Sequence, residues 1–289
     1  MKNNEIRLVF VSASGRCGTG YLSNLINENA CNATSEHEPY PRGEGLPSKW
    51  YDKQNSLALK KLALKKLARI KRGRKYGKFA VIRSITRKKN KLLIPPNLIL
   101  RNLFPSVEIK DIYAETSHTF VKSFGEEMVK LRPDLRLIHL TRNPLEVAKS
   151  FFNRNSIPGL SPFLLDPNFK RNEIKIPLTM TAFQKCLWYW FETEIRHIKF
   201  IENYDLKVID VDIKELTERK FVEKMFKTLA IEFKSVNLDL DRNKNIKATY
   251  ISPNEIKEAK EVINAIPDHI FDKIGDKYSV RDNLTKDTL

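Results

Sequence analysis

Residues Val9 to Leu22, VFVSASGRCGTGYL, decide how the rest of the chain is read. Val9, Phe10 and Val11 form a short apolar run, and Ala13, Ser14, Gly15, Gly18, Thr19 and Gly20 are small or flexible. Tyr21, Leu22, Leu25 and Ile26 then recur at helical spacing. This pattern predicts a strand, a tight turn and a helix N-terminus. Unsatisfied N–H groups at a helix start, with the positive end of its dipole, attract phosphate-like anions. Glycine lets the main chain come close because no Cβ intervenes. Arg16 adds a permanent charge at the mouth of the loop.

The stretch is not a Walker A loop, which needs Lys and then Ser or Thr after its second Gly; no Lys occurs between Asn3 and Lys49. The bland alternative is an ordinary Gly-containing turn between a strand and a helix. A chain of 289 residues, 41% hydrophobic, is long enough to bury a sizeable core as one large domain or two small ones. The MKNNEIRLVFVSAS start has too short an apolar run, and an acidic Glu5 before it, for a signal peptide. We therefore expect a cytoplasmic protein. Cys17, Cys31 and Cys186 and the five His residues show neither disulfide-framework nor metal-ligand spacing.

Net charge is +17, and its distribution is uneven. Seventeen of the 52 Lys and Arg residues, and none of the 35 Asp and Glu, lie between Lys53 and Val107, so the rest of the chain is balanced. In that segment Leu59, Leu62, Ala63, Leu67 and Ile70 fall on one side of a helical wheel, with Lys60, Lys61, Lys65, Arg69, Lys71 and Arg72 opposite. A solvated amphipathic helix covering the core is one reading. Contact of residues 53–91 with a polyanion or an anionic membrane surface is the other. Few aromatics interleave the charges, so specific nucleic-acid binding is not expected.

Further strands are expected at Cys31–Glu38, Glu108–Glu115, Leu135–Thr141 and Leu206–Val211. Helices are expected from about Thr119 to Leu131, Pro144 to Arg154, along the stripe Phe183, Leu187, Trp190, Phe191, Ile195 and Ile198, from Lys220 to Ile231, and at the C-terminus. Residues 155–177, with four prolines, and RNKN at 242–245 read as loops. Asn143 is a good N-cap, Pro144 suits the first helical position, and Glu146 stands where a capping-box acid belongs. Alternating strands and helices predict a three-layer α/β/α domain with a mainly parallel sheet. We expect one domain over 1–289, with 53–107 inserted in it.

Arg142 ends a strand of that sheet, where open α/β sheets bind ligands. Ser150 follows eight positions later, ~9 Å along the helix from Pro144. A phosphate there can take a bidentate Arg bond and a hydroxyl bond. Together, SGRCGTGYL and LIHLTRNPLEVAKS resemble the sulfotransferases that use 3′-phosphoadenosine 5′-phosphosulfate (PAPS), whose fold is P-loop NTPase-like. The resemblance covers about residues 6–52 and 108–211. It implies that Gly15, Arg16, Cys17, Gly18, Thr19 and Gly20 hold the 5′-phosphosulfate, that Arg142 and Ser150 hold the 3′-phosphate, and that Tyr21 lies against the adenine. Cys17 departs from the Ser common in the family, and Gly20 from Ser or Thr.

The resemblance further implies in-line sulfuryl transfer to a hydroxyl acceptor, with adenosine 3′,5′-bisphosphate (PAP) as product and no metal. A carbohydrate acceptor is favoured over a peptide tyrosine or a small alcohol. Arg16 is expected to neutralise charge on the departing bridging oxygen. Glu38 is the first choice for the base, with its neighbour His37 beside it, and Glu115 and His118 are the runners-up. Two other functions fit less well: a nucleotide or nucleoside kinase of related architecture, and a polyanion-binding protein on an inactive scaffold.

Overall fold

The computed structural model describes residues 7–37, 110–160, 164–168, 172–176, 179–240 and 250–278; Glu38, the segment 53–107 and the RNKN stretch lie outside them. Among the described residues, five parallel strands form one sheet: β1 (Arg7–Ser12), β2 (Ala33–Glu36), β3 (Ile112–Glu115), β4 (Arg136–Thr141) and β5 (Lys207–Asp212). Their spatial order is β2-β3-β1-β4-β5. Helix α1 (Thr19–Asn29) follows β1, and α2 (Gly125–Leu131), entered through a π-turn at Phe120–Phe124, precedes β4. Then come α3 (Pro144–Asn153), α4 (Ala182–Asn203), α5 (Arg219–Leu229), α6 (Pro253–Ala265) and α7 (Asp268–Tyr278).

The central strand explains the layering. Val9 and Val11 point into a large apolar cluster with α1, α3, α4 and α5, while Leu8 and Phe10 point to the other face, against Phe120, Met128 and Phe200. A parallel strand buried on both faces reads as a continuous apolar run, as LVFV does. The expected three-layer α/β/α architecture is present, and every strand pair is parallel.

Several local boundaries differ from expectation. β2 stops at Glu36, so His37 lies beyond the strand rather than on it. The Thr119–Leu131 helix is divided into the π-turn and α2, and the C-terminal helix into α6 and α7. Asn143 caps α3 through its side chain, accepting from the amides of Leu145 and Glu146. Glu146, however, does not reach back to complete a capping box; its carboxylate takes Arg142 Nε at 2.7 Å. A nearby guanidinium gives the carboxylate a charge-assisted bond, stronger than one to a neutral amide.

Helix α4 is buried almost all round, where an apolar stripe was expected. Trp188, Tyr189, Glu192 and Glu194 are enclosed together with the residues of the stripe. A helix buried on all sides lies inside the domain rather than on it. Its polar groups are accommodated accordingly. Glu192 accepts from the amides of Glu173 and Ile174 at 3.0 and 2.9 Å and pairs with Arg196. Thr181 and Gln184 close a reciprocal capping box at its start. No helix among the described residues is long and apolar enough to cross a membrane.

Candidate anion-binding site at the carboxyl ends of the strands

The chain turns from β1 toward β2 on one side and from β4 toward β5 on the other. That reversal opens a crevice at the carboxyl ends of β1 and β4, the ordinary ligand position of an open α/β sheet. The β1–α1 loop and Arg142 both lie there. Gly15, Arg16 and Gly18 all have positive φ, at 97°, 60° and 88°. For Arg16 this is an uncommon conformation, and such outliers gather at ligand-binding turns. Gly18 is the N-cap of α1 and no side chain caps the helix, so the first amides of α1 are left to an external acceptor.

Arg16, Arg142 and Ser150 converge. Arg16 Nε donates to Ser150 Oγ at 3.1 Å, and Arg142 Nη1 donates to the Arg16 carbonyl at 3.3 Å. The loop guanidinium is therefore on the Ser150 side of the crevice. Helix α3 is held in place for this by Lys149, paired with Glu255 of α6 at 2.5 Å, and by Phe151, whose ring meets Tyr189 edge-on at 5.3 Å. Burial opposes the Glu255 charge, but hydrogen bonds from Lys149 and Ser252 outweigh it and hold the carboxyl below its usual range. Two guanidiniums, a hydroxyl and an uncapped helix start are groups that can bind anions.

The other expected site residues are distributed unequally. Thr19 opens α1 and is buried. Cys17 is fully buried with its thiol turned inward, toward Ser14 Oγ at 3.1 Å and the Gly15 carbonyl at 3.3 Å. Burial pushes that thiol up to about 11, so it stays protonated at neutral pH. The Tyr21 ring packs partly buried against the core. His37 lies beside Gly20, with Nδ1 3.0 Å from the Thr116 carbonyl. His118 stands against Gly15 on the β3 side. Glu115 is completely enclosed and pairs in register with Phe10 and Glu36. The two imidazoles thus flank the loop, and Glu115 is shut away from the crevice.

One further cluster lies outside the expected site residues. Ser12, His139 and Asp210 lie level on β1, β4 and β5. Glu194 and His197 of α4 cover them: His139 Nε2 meets Glu194 at 2.8 Å, His139 Nδ1 meets Asp210 at 3.0 Å, and His197 bonds Ser12 at 2.9 Å. The imidazole rings stack, with centroids 3.7 Å apart and planes 12° from parallel. Both His139 nitrogens face carboxylates, which suits the doubly protonated ring. Only the alternation of apolar and polar residues in LIHLT and KVIDVD hinted at this layer.

Burial opposes the charge on His139, yet Glu194 and Asp210 outweigh it and raise its pKa above the usual value. The stabilisation is fully present below the unfolded pKa of about 6.5 and is lost as pH rises through the higher folded value. Urea denaturation from pH 6 upward should show stability falling, by at most about 1.4 kcal/mol per pH unit for one proton. His139→Gln should remove that slope. An unchanged slope in the variant would mean that other groups carry it.

No family model matches the sequence, and no curated protein matches it. Among solved structures, the chain is similar to the crystal structure of a sulfotransferase from Alicyclobacillus acidocaldarius, with 13% identity, a TM-score of 0.45, and coverage of 92% of this chain and 96% of that one.

Proposed function

We propose that this chain is a PAPS-dependent sulfotransferase that moves the sulfuryl group to a hydroxyl acceptor, with a carbohydrate favoured. The observation that supports this most is the meeting of Arg16, Ser150 and Arg142 beside an uncapped, positive-φ loop. The amides of Gly18 and Gly20, with Thr19, would hold the 5′ group, and Arg142 and Ser150 the 3′-phosphate. Arg16, placed on Ser150, supports a part in the 3′-phosphate clamp besides its expected role at the bridging oxygen. Bound PAPS supplies the activated sulfuryl group. The chain contributes position and fixed charge, which dominate transfers of this kind. The acceptor's proton goes to His118 or His37, which flank the loop, or to Glu38.

Calorimetric titration with PAP, and with ATP and magnesium, tests the reading. Wild type should bind PAP and not ATP. Arg142→Ala should weaken PAP at least tenfold, about 1.4 kcal/mol, since a charge-assisted pair is lost. ATP binding with magnesium and no PAP binding would replace this reading with the kinase.

A further inference from the structure

Lys122 belongs to none of the motifs above, yet it touches the loop from inside. It lies in the π-turn Phe120–Phe124 and is buried, with 4% of its surface exposed. Its ammonium donates to the carbonyls of Ala13 and Ser14, at 3.4 and 3.1 Å, and to the Tyr189 hydroxyl. It also stands 4.8 Å from the centre of the Tyr189 ring. An ammonium buried this deeply is costly unless its donors are met, and here the two carbonyls and the Tyr189 hydroxyl help to meet them. Both carbonyls belong to the loop.

We infer that Lys122 is a positioning residue for the anion loop. In a trans peptide the C=O and the following N–H point opposite ways. Drawing the Ala13 and Ser14 carbonyls toward Lys122 therefore turns the Ser14 and Gly15 amides to the side away from it. The same charge compensates the two carbonyl oxygens gathered at Lys122 and so holds these peptides with their positive ends turned the other way. Lys122 thus supports the loop from below, in a chain whose loop has no lysine of its own. A π-turn often marks such a functional departure from regular helix. Tyr189, fixed against Phe151 of α3, links the ammonium to the helix that carries Ser150. The inference rests on the proposed nucleotide site and concerns its 5′ end only.

The test is a ratio of affinities, measured on the full chain. Wild type should bind adenosine 3′,5′-bisphosphate more tightly than adenosine 3′-monophosphate, the difference being the loop's hold on the 5′ group. Lys122→Met should leave the 3′-monophosphate within about twofold and weaken the bisphosphate roughly tenfold or more. An unchanged ratio in Lys122→Met, or equal losses for both nucleotides, would overturn the inference, since a merely structural lysine gives one or the other. If Lys122→Met does not fold, the ratio is read on Lys122→Gln, which keeps two neutral donors, and the same outcomes decide. A wild type with no preference for the bisphosphate would instead sink the nucleotide site itself, together with this inference.

Discussion

Gly18→Ala is expected to lose PAP binding and to lower stability by roughly 1–3 kcal/mol, the cost of holding a non-Gly residue in a sparsely populated backbone region. Gly18 sits at φ 88° and ψ 21° as the N-cap of α1. A Cβ built there lies 2.2 Å from Cδ1 of Ile213, so that side chain must also move. Ile213 is tied by its amide to the Thr141 carbonyl, next to Arg142, and its displacement disturbs both halves of the crevice. Relaxing φ would turn the amides of the first turn of α1 away from the site. Gly20→Ala is the comparison within the same loop, since it keeps the backbone amide. Gly20 has no positive φ, and its added Cβ meets His37 at an ordinary 3.4 Å. Thermal denaturation and PAP titration of both variants check this. Equal affinity of Gly18→Ala and wild type would show that the loop conformation is not needed for binding.

Trp188→Ala should be the most destabilising single change in the core, by about 3–5 kcal/mol as for other buried Trp truncations. Trp188 is fully buried in α4, and its indole N–H donates to the Ile174 carbonyl at 3.0 Å. Truncation leaves a large cavity beside a buried carbonyl without its donor, and both add to the cost. The Ile174 segment is also held by Glu192, so Trp188→Phe, which restores volume but not the donor, should recover most of the loss. Urea denaturation midpoints at constant slope measure it. A loss under about 1 kcal/mol for Trp188→Ala would mean that the site collapses to fill the space.

These two positions mark where sequence and structure part. Gly18 was legible because a strand, a glycine-rich turn and a helix start are local events, settled by φ preference and by capping. The same holds for Asn143 and Pro144, which start α3 as their residue types dictate. The aromatic stripe of α4 was legible as a helix. Its burial on every side was not, because Trp188 and Glu192 acquire partners from the 172–176 segment only after the chain has folded back.

The candidate site divides in the same way. The residues that compose it, Arg16, Thr19, Arg142 and Ser150, were legible from type and spacing within two short stretches. That Arg16 reaches Ser150, 134 positions away, depends on β4 lying beside β1, and periodicity carries no information about strand order. His37 finds Thr116, 79 positions on, for the same reason. Lys122 beneath the loop and the Asp210–His139–Glu194 chain are likewise products of that order. Local preference determined the elements and their chemical endowment. Tertiary structure decided which charges meet and which are shut away, because burial and pairing are set by contacts between distant residues.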